Sequence, residues 1–138
     1  MHRANVAIPL MGLMSAMLCG CGHTTGATAR LPATAHNAYL KASIRWRPNP
    51  PIPLKHWNLA VIATTRKGTP LPQTARVQVT IQMTTMQMPP IQDTLHWVSP
   101  GHYMGQVIIV MPGTLTLQIS VTMKSESLTK TWMVVTAN

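Results

Sequence analysis

Phenylalanine is absent from all 138 residues, and carboxylates nearly so: Asp93 and Glu126 are the only two, set against eleven lysines and arginines. General acid and base chemistry normally uses paired carboxylates, so that class of mechanism has almost no material here. No serine stands in a nucleophile-elbow context, no phosphate-binding glycine loop occurs, and neither H-E-x-x-H nor C-x-x-C is present. The sequence therefore offers no catalytic residue, and an enzyme is not expected. Charged residues make up only 9% of the chain against 46% hydrophobic ones, which excludes the composition of a disordered protein. The length allows one small domain.

The charge balance is +9, so anionic lipid, cell-wall polymer and nucleic acid are all attractive surfaces in principle. The cations are scattered, as at Arg45, Arg47, Lys55, Arg66, Lys67, Arg76, Lys124 and Lys130, and no aromatic residues interleave with them to stack bases. Nucleic acid is not expected as a partner; a membrane or wall surface is. Carboxylates neutralise in acid, so a chain with so few of them suits an acidic exterior.

Cysteine occurs only at positions 19 and 21. Ahead of them, His2 and Arg3 precede an apolar stretch over residues 6–18. Thirteen residues are too few for a bilayer span, which needs about 20, and they match the apolar core of a secretory signal. Leu18-Cys19-Gly20-Cys21 follows directly and resembles the bacterial lipobox, with an aliphatic residue at −3, a small residue at −1 and then the modified cysteine. Resemblance to bacterial lipoproteins implies removal of residues 1–20, acyl chains such as palmitate on Cys21, and a chain anchored to the cell membrane on its extracytoplasmic face. Two or more acyl chains anchor stably where one is marginal. Loss of Cys19 with the leader leaves no free thiol and no disulfide, although the compartment is oxidising. Residues 21–37 then read as the lipidated N-terminus and a flexible tether, small and polar with no apolar period.

Residues 38–138 read as the folded domain. Trp57, Leu59 and Val61 alternate with Asn58 and Ala60; Val77, Val79, Ile81 and Met83 alternate with polar residues, as do Leu115 to Met123; Leu128 to Val135 supplies a last run. Period two is the pattern of a half-buried strand. Turn signals separate the runs at Arg66-Lys67-Gly68-Thr69-Pro70, Ser99-Pro100-Gly101 and Met111-Pro112-Gly113. No long stretch holds a helical period. These features predict an all-β sandwich of about seven antiparallel strands in two sheets.

The order Gly68-x-Pro70-Leu71, Ala75-x-Val77-x-Val79, Met83-x-x-Met86-x-Met88-Pro89, Pro100-Gly101-His102-Tyr103 and Met111-x-Gly113-x-Leu115-x-Leu117 resembles the YtkA-like domain, a relative of FixH. The likeness spans about residues 50–121. It departs at Leu115, where the family usually has Trp, and at Leu54-Lys55-His56, where the family has a turn of small residues. The resemblance implies an immunoglobulin-like sandwich outside a membrane, in a family associated with copper handling or with assembly of metal-containing membrane enzymes. The partners it implies are a metal transporter or a respiratory oxidase complex.

Seven methionines remain after the leader, and Met83, Met86 and Met88 fall within six positions. Thioether sulfur is a soft donor that favours Cu(I), and imidazole extends it to a mixed site, which makes His96 and His102 candidate ligands beside the three methionines. The other reading is packing: without phenylalanine, methionine is the natural filler of irregular gaps, and Met83 closes an inward-facing alternation. Period two places Met86 and Met88 opposite Met83 unless the strand ends near Thr84-Thr85, before Pro89-Pro90. His36 and His56 read as surface residues. Two functions follow: a module that binds or delivers Cu(I), or a structural or assembly accessory of a membrane complex that docks through an exposed apolar edge. As for the anchor, a Cys21→Ser variant should pass from the membrane to the soluble fraction on cell fractionation, and retention in the membrane would exclude the lipid assignment.

Overall fold

A computed structural model describes residues 31–138; the leader and Cys21 lie outside the described residues. Among these described residues nine strands run in order: β1 (Ala33–His36), β2 (Leu40–Arg47), β3 (His56–Thr65), β4 (Arg76–Met83), β5 (Ile91–Thr94), β6 (His96–Ser99), β7 (His102–Ile108), β8 (Thr114–Met123) and β9 (Glu126–Val135). They form two antiparallel sheets, β1-β2-β3-β7-β6 and β5-β4-β8-β9. The order β2-β3-β7-β6 opposite β4-β8-β9 is that of the A-B-E-D and C-F-G strands of an immunoglobulin-type sandwich, with β1 and β5 added at edges. The all-β sandwich read from the sequence is the observed architecture.

The strand count is nine where about seven were expected, because β1, β5 and β6 are four residues each and too short to show a period. The tether boundary also moves. Residues 33–36, read as part of a tether over 21–37, pair with β2 in the register Ala33↔Ile44 to His36↔Lys41. Ala33 and Ala35 are buried. Alanine is small enough to lie under a sheet edge, so a segment that looks merely small and polar satisfies its backbone on β2 instead of in water. The Asn37 side chain makes the turn that follows, its Oδ1 accepting from Tyr39 N and Leu40 N at 2.8 Å each.

Alternation fills the core as expected. Leu40, Ala42, Ile44 and Trp46 of β2, Trp57, Leu59, Val61 and Ala63 of β3, Val77, Val79 and Ile81 of β4, and Leu115, Leu117, Ile119 and Val121 of β8 are all buried. Trp46, Trp57 and Tyr103 supply the large aromatic volume that phenylalanine does not. The two indoles meet edge to face, with centroids 5.8 Å apart at 68°, a geometry that adds to area burial. Trp46 Nε1 donates to Asn49 Oδ1 at 3.2 Å, whereas Trp57 Nε1 has no acceptor among the described residues. The Tyr103 hydroxyl donates to the Pro72 carbonyl at 2.7 Å and pins the β3–β4 connection to the sandwich. Gly101 closes this corner. Its φ of +76 and a Cβ position 3.0 Å from both Ala63 O and Pro70 Cβ leave no room for a side chain.

The loops divide between two ends. Residues 48–55, 84–90 and 109–113, with the last residues of the chain, meet at one end. They are joined by Leu54 N to Ile109 O (2.7 Å), Thr84 N to Thr114 O (3.0 Å), Thr136 N to Gly113 O (3.0 Å) and Ala137 N to Pro51 O (2.8 Å). Residues 66–75, 100–101 and 124–125 lie at the other.

Burial raises the Tyr103 hydroxyl above its ordinary pKa of 10.0. Because the folded state holds this proton more tightly than the unfolded chain, its contribution is complete below pH 10 and is lost as pH climbs beyond. Tyr103→Phe should lower unfolding stability by about 1 kcal/mol at neutral pH. In denaturant titrations the gap between wild type and variant should narrow as the pH is raised above 10.

Candidate functional site

The end that gathers residues 84–90 is where the methionines meet. β4 stops at Met83, which faces Leu115 across the ladder. Thr84 then turns aside, its amide and hydroxyl both donating to Thr114 O at 3.0 Å. Met88 N donates to Met86 O at 3.1 Å, folding the loop back in a three-residue turn. The strand thus ends where the thioethers need it to end if they are to leave opposite faces. Met83, Met88 and Met111 line one apolar cavity of about 30 Å³, together with Ile81, Pro89 and Ile109. Met86 stands outside it, 44% exposed, on a neighbouring open groove that also borders Met83.

Met111 arrives from the other sheet. β7 ends at Ile108, Leu54 N holds the next residue through Ile109 O, and the Met111-Pro112-Gly113 turn leads into β8. Gly113 has φ +145, and a Cβ there would lie 3.1 Å from Met83 Cε and 3.2 Å from Thr85 Oγ1. Its bareness therefore makes room for the Met83 methyl. The turn is latched by Thr136, whose Oγ1 accepts from Gly113 N at 2.8 Å while its own N donates to Gly113 O.

The two histidines do not join this group, which corrects the mixed Met/His site read from the sequence. His96 pairs with Met104 and His102 with Ile62. Along β7 these levels are four and six positions from Ile108 at the methionine end, roughly 14 and 20 Å at about 3.4 Å per residue. His96 instead shares an edge groove with Asp93 and Met104. His102, exposed, follows Gly101, whose N donates to Leu71 O at the far end. The physical reason is that β5 carries the chain away from the methionine loop before His96 is reached. No group of three or more His, Cys, Asp or Glu side chains is positioned for a metal among the described residues. Met111, which the sequence reading left out of the ligand set, is the residue that lies beside Met83 and Met88 on this cavity. The signal for it was topological: β5 and β6 carry the chain from the Met83 loop to the far end and β7 returns it, so the turn after β7 lies at the same end as that loop.

A hard cation finds no oxygen cage in this cavity. Three neutral thioethers among aliphatic walls suit a soft monovalent ion or plain apolar packing, and Met83 does pack against the core. Comparison with family models and with curated proteins gives no match for this chain.

Gly113→Ala should cost about 1–3 kcal/mol for backbone strain and should displace the Met83 methyl, read as a change in its ¹³C methyl resonance. Gly68→Ala, at φ +96 with nothing within 4 Å, carries the strain alone and should leave that resonance in place.

Proposed function

We propose that the protein is a lipid-anchored, extracytoplasmic binding module, not an enzyme, that takes up Cu(I) through thioethers at the methionine end of its sandwich. The reading rests on one observation: three of the seven methionines downstream of the leader border a single small apolar cavity. Met83, Met88 and Met111 would hold the ion, with Met86 on the adjoining rim. Bound there, Cu(I) would bring a soft acceptor that thioethers satisfy without any proton being released, so binding would persist in acid where imidazole protonates. The anchor at Cys21 and the partners, a metal transporter or a respiratory oxidase complex, come from the motif resemblances and complete the picture of a protein that passes copper at a membrane face. The competing reading, a structural or assembly accessory whose methionines only pack, draws on the same partly buried Met83.

Titration of the mature protein with Cu(I) against a competing chelator separates the two. Replacing Met83, Met88 and Met111 together by leucine should abolish stoichiometric binding, at under about 1.5 kcal/mol of stability for each volume-conserving swap. His96→Ala with His102→Ala should leave affinity unchanged. Affinity that survives the triple methionine change would retire the thioether site, and a wild-type protein that takes up no Cu(I) would leave the accessory reading.

A further inference from the structure

We infer that the methionine end is also the lipid-contacting end, so that the sandwich stands end-on with loops 48–55, 84–90 and 109–113 in the headgroup layer. Exposed apolar side chains concentrate there: Leu54 is 73% exposed, Val110 51%, and Ile52 and Met111 37% each. Among the described residues the loops at the opposite end show Tyr39 alone, with Val98 nearby in β6. Leu54 occupies the left-handed region at φ 63, a conformation leucine adopts rarely, and its aliphatic side chain stands in solvent.

The backbone of these loops is equally suited to giving up part of its contact with bulk water. Seven of the twelve prolines, at 48, 50, 51, 53, 89, 90 and 112, fall in them. Proline has no N–H to leave unpaired on leaving water. Several of the remaining donors are already bonded internally, Leu54 N to Ile109 O, Lys55 N to Ile52 O and Gly113 N to Thr136 Oγ1 among them.

Chain direction selects a bilayer as the occupant. The inference rests here on the anchor proposed at Cys21. β1 runs antiparallel to β2 with Ala33 opposite Ile44, so the chain upstream of Ala33 comes from the Arg47 end, which is the methionine end. Residues 22–32 reach about 36–40 Å at full extension. The sandwich is as long as its ten-residue strands β3 and β8, roughly 33 Å. Ala33 enters at mid-height, level with Ile44 and Val61 and so four ladder positions from Thr65 and five from His56; the linker can reach either end, and it is the direction of β1, whose upstream side faces Arg47, that favours the methionine end. Charge does not choose between the ends: Arg47 and Lys55 flank one, Arg66, Lys67 and Lys124 the other. The apolar loops and the direction of β1 do.

The test uses the full-length protein, produced with its leader and reconstituted into protein-free phosphatidylethanolamine/phosphatidylglycerol vesicles that carry nitroxide lipids. An environment-sensitive fluorophore is placed on Leu54→Cys, on Val110→Cys or on Lys67→Cys. All three positions are exposed, and two separate reporters at the methionine end guard against one perturbed variant. Both should be quenched strongly and blue-shifted, with the position 67 probe unaffected; equal quenching at all three, or stronger quenching at 67, overturns the inference, as does none at 54 and 110. The N-terminal mass is read on the same samples. Selective quenching with an unacylated mass would retire the anchor and keep the docking surface, while an acylated mass with equal quenching would do the reverse.

Discussion

The interlocking of two alternating apolar faces is what the rest of this molecule depends on. Without phenylalanine, the gap between sheets is filled by rows of Val, Leu and Ile on β4 and β8 against the Trp46–Trp57 pair on β2 and β3. Each inward residue sits at a fixed height because the antiparallel ladders set the register, Val79↔Ile119 in one sheet and Ile44↔Val61 in the other. A one-residue slip would turn a whole row outward, so the loops at either end are held at defined heights although several make few bonds of their own. The methionine cavity inherits its shape from this. Ile81 is the last inward residue of β4, and Met83 continues the row past the point where the sheets close over it.

The elements legible in the sequence were those long enough to show their period and rich enough in branched aliphatics to show it cleanly: β3, β4, β8 and β9. β2 alternates as well, through Leu40, Ala42, Ile44 and Trp46, but an alanine and three basic residues dilute the pattern. β1, β5 and β6 exist through pairing with a neighbour, and four residues carry no period of their own. For the candidate site, local sequence pointed to Met83, Met86 and Met88, of which Met86 stands outside the cavity, and to the need for the strand to end after Met83, because proline and threonine report chain breaks locally. It could not supply the third member. His96 is eight residues from Met88 and Met111 is twenty-three, yet β5 removes the first and the return of β7 brings in the second. Distance along the chain is a poor guide where every connection but that of β5 to β6 reverses direction.

The same topology gives the two ends different characters. The far end is a corner fixed by Gly101 and by the Tyr103 hydroxyl on Pro72, polar and basic at its rim. The methionine end is a set of proline-rich loops tied to one another by backbone bonds, with aliphatic tips outward and thioethers beneath. Such a division lets one end be varied by substitution in loops while the core and the opposite corner keep their packing.

The residues around Thr136 and Ala137 are bonded to Gly113 and Pro51, so the chain leaves the described domain on the side from which it enters. Any polypeptide joined after Asn138 would emerge among those loops and crowd whatever approaches them. The Arg66-Lys67-Gly68 hairpin, exposed and distant, is where a reporter or purification handle can be inserted without standing in that path.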